Sequence, residues 1–269
     1  MARCNALRKG TGMYIYRCED SLEGIFSAIY RIYADHRARE EVMIRCDEEV
    51  FLFATDVTVE TNTQEAVKVM RTLQREFGEL DYASLCLALT SPEADKAQVV
   101  FETIRYGLKN KPAKGYLFSH LADDSILRAM KLSQNAWRER AHLYGFTRFE
   151  ELENGILFAI VEPKNNVLTG LMEHFADRLP MENFAIFDKG RSVLGIHPAG
   201  QPWFVASGSE LVEAFRDVSE STQEKLYADL FCHFCKTIAI KERKNITLQR
   251  NMLPLRFREF MTEFASDNS

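Results

Sequence analysis

The apolar residues of this 269-residue chain change their spacing at Gly145, and that change limits the folds open to it. Before Gly145 they recur three and four positions apart, the spacing of helix faces. Ala66, Val69, Met70, Leu73 and Phe77 form one such stripe, closed by Gly78. Ser21 reads as an N-cap ahead of Ile25, Phe26, Ile29, Tyr30 and Tyr33. Ser91-Pro92-Glu93 predicts a helix start with Ala97, Val100, Phe101, Ile104 and Leu108 inward, and a further helix runs from about Leu121 to Tyr144. Met13-Tyr-Ile-Tyr16 reads as one short strand, and Glu48–Val59 as irregular or weakly extended with Phe51, Leu52 and Phe53 buried.

After Gly145 the runs shorten. Phe146–Leu152 and Gly155–Val161 predict two strands about the turn Glu153-Asn154, and Val167–Leu179 a helix closed by Pro180. Phe184–Phe187, Ser192–His197 and Trp203–Ala206 predict three more strands. A long helix from about Glu210 to Ile240 and a last one at Pro254–Phe264 complete the chain. The expected class is α+β: a largely helical N-terminal half, then a small, mostly antiparallel sheet with C-terminal helices packed on it. With no linker or repeat in view, residues 13–269 read as a single domain and 1–12 as a flexible extension.

Composition removes several alternatives. A chain 46% hydrophobic and 27% charged is not disordered, and runs such as Ile156–Val161 fall far short of the roughly 18–20 apolar residues that cross a bilayer. Met1-Ala-Arg-Cys-Asn has no apolar signal core, and six scattered cysteines do not form a disulfide framework, so a cytoplasmic protein is expected. The net charge of −5 conceals an asymmetry: thirteen acids against four bases from Glu40 to Asp95, but nine bases against five acids from Phe101 to Glu150. From Lys236 to Glu259 seven bases face two acids. If the basic segments meet, Lys111, Lys114, Arg243, Lys244, Arg250 and Arg256 form one positive surface for a polyanion; otherwise they are ordinary solvated helix surface.

Several stretches are more specific. They are Glu139-x-x-His142-x-x-Gly145-Phe146-x-Arg148-Phe149, Val161-Glu162-Pro163, His174-Phe175-x-x-Arg178-Leu179-Pro180 and Ile186-Phe187-Asp188-x-x-Arg191. The tail adds Ile238-x-Ile240-x-Glu242-Arg243-x-Asn245-x-x-Leu248-Gln249 and Met252-x-Pro254. With Tyr14-Ile-Tyr16 and Ser21-x-Glu23-Gly24, these resemble a bacterial family of unknown function described as DNA metabolism proteins, from Met13 to about Glu263. Members of that family occur alone or fused to a uracil-DNA-glycosylase-like domain, and are associated with a radical-SAM protein of DNA modification or repair. The resemblance implies DNA or another nucleic acid and a radical-SAM protein as partners. As the chain ends at Ser269, a glycosylase-like activity would come from a separate protein.

The residues leave the chemistry open. Glu139 and His142 share a helix face, where a carboxylate could fix the imidazole tautomer of a general base. Arg148 beside Phe149 could grip a phosphate while a base stacks, or these residues could end a helix and fill a core. His174, Arg178, Asp188 and Arg191 would converge on one cleft with Arg148 if short connections make their elements neighbours, with Glu162 as a further acid. His174, Asp188, His142 and Glu162 are thus the catalytic candidates. Arg148, Phe149, Arg178, Arg191, Arg243, Lys244, Asn245, Arg250 and Arg256 are the nucleic-acid-binding ones.

Cys232-His-Phe-Cys235 lacks a second ligand pair and reads as helix core, so no metal is expected. The absence of a CxxxCxxC motif and of glycine-rich phosphate loops argues against a radical-SAM, ATP or NAD enzyme, and no cofactor is expected. The leading expectation is a nucleic-acid-binding protein of DNA modification or repair acting with a radical-SAM partner. The alternative is a stand-alone enzyme acting on a phosphorylated small molecule or nucleotide. Whether the chain itself catalyses a reaction is undecided by its residues.

Overall fold

The computed structural model describes residues 13–37, 41–207, 221–238 and 246–267. The protein is α+β, and its chain forms two compact units that divide between Trp137 and Arg138.

The first unit is built on a three-stranded parallel sheet of order β2-β1-β3, formed by β1 (Met13–Arg17), β2 (Val42–Arg45) and β3 (Ala54–Thr58). Helices α1 (Leu22–Ala34), α2 (Thr63–Phe77), α3 (Glu79–Leu89) and α4 (Lys96–Asn110) accompany it, and α5 (Asp124–Phe146) begins here. The Ser21 hydroxyl accepts the Gly24 amide at 3.0 Å, so the expected cap forms. Ala66, Val69, Leu73 and Phe77 are buried along α2, and Gly78 ends that helix at a φ of 84°.

Two expectations are corrected in this unit. The strands β2 and β3 are not visible as alternating runs, because their apolar partners come from helices rather than from a two-faced hairpin. The β2–β3 connection must also cross the end of β1, since β2 and β3 lie on opposite sides of it. Arg17 holds that connection through the Asp47 and Glu49 carbonyls, both at 2.6 Å, and Phe53 takes a left-handed φ of 65°. Leu52 and Phe53 are consequently exposed rather than buried, at 82% and 97%. The second correction concerns α4, which starts at Lys96 and not at Pro92. Arg128 binds Glu93 at 2.8 Å and Asp95 at 2.9 Å, holding the preceding residues in a turn.

The second unit contains a five-stranded sheet of order β4-β5-β6-β7-β8. Its strands are β4 (Glu150–Glu151), β5 (Leu157–Val161), β6 (Phe184–Asp188), β7 (Val193–His197) and β8 (Phe204–Ser207). Only β5 and β6 are parallel, because α6 (Leu168–Arg178) joins them as a crossover; the other pairs are antiparallel. Every residue of β6 is buried, as a central strand covered on both faces requires. One face carries Phe158, Ala185, Phe187 and Leu194; on the other, α6 places Met172 over Gly195. Helices α7 (Thr222–Ile238), α8 (Ile246–Met252) and α9 (Leu255–Arg258) follow, then a 3-10 turn at Thr262–Asp267.

Helix α5 continues through Gly145 to Phe146, so the predicted strand at 146–152 is shorter than expected. The Thr147 hydroxyl bonds the Leu143 carbonyl at 2.7 Å and Arg148 the Gly145 carbonyl at 2.8 Å, extending the helix end into the connection.

Two glycines sit where a side chain has no room. A Cβ at Gly107 would lie 2.6 Å from the Phe77 ring, and one at Gly195 would lie 2.4 Å from the Met172 sulfur. Gly107→Ala should therefore lower stability by about 1–3 kcal/mol in chemical denaturation, as should Gly195→Ala to the extent that the Met172 thioether cannot move aside. A midpoint unchanged in both variants would contradict this packing.

Candidate functional site

The second unit concentrates its ionic contacts where β5 and β6 end. Two carboxylates are buried there, Glu139 at 2% and Asp188 at 0% exposure, and each is compensated differently.

Glu139 comes from α5. One oxygen accepts the Lys164 amide at 3.0 Å and pairs with the Arg256 guanidinium at 2.9 Å. Its other oxygen accepts the Asn165 backbone and side-chain amides at 2.7 and 2.6 Å. The carboxylate thus fixes the turn after Pro163 and anchors α9 through Arg256. Orienting His142 as a general base was one of the readings left open by the sequence. That imidazole instead stacks on Phe146, centroids 5.6 Å apart, with the Phe257 ring edge-on at 5.9 Å.

Asp188 is the last residue of β6. It accepts the Arg191 amide at 3.2 Å and pairs with that guanidinium at 3.0 Å, while Arg191 also donates to the Pro163 and Lys164 carbonyls at 3.0 and 2.6 Å. Burial pushes the Asp188 carboxyl above the usual carboxylate range, against the opposing pull of Arg191. Arg191 therefore ties the β6–β7 turn to the segment that Glu139 holds from the other side.

A groove of about 420 Å³ opens on this arrangement, lined by Glu162, Pro163, Lys164, Gly190, Arg191, Arg256 and Glu259. It lies at the carboxyl ends of the two parallel strands, where backbone and loops of α/β units commonly receive ligands. Arg256 is 39% exposed, pairs with Glu139 and lines the opening. Lys189 bridges Glu259 at 2.8 Å and Glu162 at 3.8 Å along the rim.

The expected cleft of Arg148, His174, Arg178, Asp188 and Arg191 is not assembled. Arg191 lines the groove, with Asp188 beneath it. Arg148 lines a neighbouring hollow of about 180 Å³ with Glu150, Phe158 and Phe260, and Glu259 stands between it and the groove. It lies in the α5–β4 connection, not on a strand, and donates to both Glu263 oxygens at 3.2 and 2.8 Å. His174 stacks on Tyr144 with centroids 3.9 Å apart, and Arg178 is exposed at the end of α6. Phe149 packs edge-on against Phe175 at 5.0 Å and Phe184 at 5.6 Å, inside an aromatic cluster and not as an open stacking platform. Arg250 is exposed on α8. Arg243, Lys244 and Asn245 lie outside the described residues, as does the Cys235 side chain; the Cys232 sulfur is 3.4 Å from the Thr262 carbonyl.

Lys164 and Glu259 did not stand out in the sequence. The signal for Lys164 was its position directly after Val161-Glu162-Pro163, while Glu259 carries no local motif.

A family model described as a domain of unknown function, DUF4130, matches residues 94–263, which includes every residue of the groove. No curated protein matches the chain. Among the described residues, no helix is long and apolar enough to cross a membrane.

Two outcomes are expected from the buried carboxylates. Glu139→Ala leaves three amide donors and Arg256 without their acceptor and should destabilise the protein by roughly 2–4 kcal/mol in urea unfolding. The raised folded-state pKa of Asp188 means that the native form holds its proton to higher pH than the unfolded form does. Its contribution to stability is therefore fully present below the ordinary carboxylate range and is lost as pH rises through the raised value. Asp188→Asn should remove that fall, so that wild-type stability relative to the variant declines between acidic and neutral pH. A pH-independent difference would refute the burial argument.

Proposed function

From the premise that the chain belongs to the DUF4130 family, we propose that it is a nucleic-acid-binding protein of DNA modification or repair. In this reading the groove at the ends of β5 and β6 receives the phosphate backbone. The observation that carries the proposal is the convergence of Lys164, Arg191 and Arg256 on one opening. Arg191 and Arg256 are held in place by buried carboxylates, so a phosphate would meet donors that need little reordering. Lys164 stands on the turn fixed by Glu139 and supplies a mobile point charge. Arg250 and, from the sequence alone, Arg243, Lys244 and Asn245 would extend the contact along the strand. Arg178 is exposed and available to a longer ligand.

The resemblance to DNA metabolism proteins supports the same direction and suggests a radical-SAM protein as partner. If the protein also takes part in catalysis, Glu162 is the acid best placed for it, because it lines the groove and is exposed. Asp188 is shielded beneath Arg191, and His142 and His174 are engaged with aromatic rings.

Fluorescence anisotropy with single-stranded, duplex and damaged DNA over a salt series tests the proposal. Wild-type affinity should fall as salt rises. Lys164→Ala should weaken binding several-fold on all sequences and reduce the slope of log K against log salt by about one, with Arg256→Gln acting in the same direction. Salt-independent binding, or wild-type affinity in both variants, would remove the groove from the function.

A further inference from the structure

Two cysteines of the first unit stand side by side where neighbouring parallel strands end. Cys18 follows Arg17 of β1 and Cys46 follows Arg45 of β2, and those two arginines are paired in the strand register. The ladder continues through the Cys18 amide, which bonds the Arg45 carbonyl at 3.1 Å. The sulfurs are 3.8 Å apart, and both residues are half-buried. Adjacent strands place Cα atoms roughly 5 Å apart, inside the range of about 4.4–6.8 Å that a disulfide spans.

We infer that Cys18 and Cys46 form a redox-active dithiol that exchanges with small-molecule disulfides, closing a disulfide between β1 and β2. The two thiols are not equivalent. The contact with Cys46, then burial, and last the neighbouring Asp20 and Glu19 carboxylates push the Cys18 thiol up. The contact with Cys18 and the ammonium of Lys96, a side chain 7% exposed and paired with Asp20 at 2.6 Å, lower the Cys46 thiol against its burial and the Asp20 and Asp47 carboxylates. Cys46, the thiol that feels the Lys96 ammonium, is taken as the attacking sulfur, and the serine variants below decide between the two.

The exchange balances in two displacements. The Cys46 thiolate attacks one sulfur of oxidised glutathione, forming a mixed disulfide and releasing one glutathione thiolate. Cys18 then loses its proton to solvent and attacks the Cys46 sulfur, forming the intramolecular bond and releasing the second thiolate. The protein gives up two electrons and two protons, and one glutathione disulfide becomes two thiols. The resulting bond would close a loop containing α1 and fix β1 to β2, on the unit that does not carry the proposed groove. This inference stands independently of nucleic-acid binding.

Oxidised glutathione applied to the full chain, followed by acid quenching, alkylation and peptide mapping, tests it. Wild type should give a Cys18–Cys46 disulfide while Cys86 remains alkylatable, since burial raises its thiol and the structure gives it no cysteine neighbour among the described residues. Cys18→Ser should accumulate glutathione on Cys46, because the resolving thiol is gone; Cys46→Ser should accumulate far less on Cys18. Wild type that leaves Cys18 and Cys46 as thiols, or modifies Cys86 as readily, would overturn the inference. Equal trapping in the two serine variants would overturn the assignment of Cys46 as the attacking sulfur.

Discussion

The second unit depends on a carboxylate removed from water. Glu139 is an ionisable residue on a helix face that would otherwise be apolar, and it is tolerated there because four donors meet it. Those donors belong to a turn and to α9, neither of which has a hydrophobic face large enough to fix its position alone. The anion supplies what packing does not: a single point that both must reach. The energetic cost of burying it makes the arrangement all-or-none, since losing one donor leaves the charge under-compensated.

Asp188 repeats this logic with a weaker partner set. Its compensation is concentrated in Arg191, so desolvation outweighs it and the carboxyl is raised. Arg191 is nevertheless the residue that joins the two systems, because the carbonyls it binds belong to the same turn whose amides bind Glu139. One turn is thus held by its amides to an anion and by its carbonyls to a cation. Groove geometry follows from that pairing more than from the shape of the sheet.

Much of this architecture was legible in the sequence. The stripes at Ala66–Phe77, the cap at Ser21 and the five short strands after Gly145 follow from spacing and turn chemistry, and they gave the α+β class. The parallel sheet of the first unit was not legible. Parallel strands pair across crossovers, and Ala54–Thr58 has the exposed, polar composition of an edge strand without alternation. Leu52 and Phe53 misled for a related reason: hydrophobic character says that burial is favourable, but not that the backbone can turn those side chains inward. At the site, the arginines were recognised as a group, but which carboxylate each would meet depends on non-local contacts. Arg148 meets Glu263 and Arg256 meets Glu139, both more than a hundred residues away.

The same pairing determines what sort of anion the groove suits. Lys164, Lys189, Arg191 and Arg256 are matched in number by Glu139, Glu162, Asp188 and Glu259, so the site has no large excess of positive charge to attract polyanions from a distance. The two signs are, however, separated by depth. Glu139 and Asp188 lie in the interior, whereas Arg256, Lys164 and Lys189 reach solvent. The exposed Glu162 and Glu259 already occupy Lys189 and would repel a phosphate that approached along that side. On the proposed reading, a phosphate would therefore enter over Lys164 and Arg256, with its charge within hydrogen-bond reach of them. Short-range geometry rather than long-range attraction would then set affinity, and sliding over arbitrary DNA would be disfavoured relative to docking in one orientation.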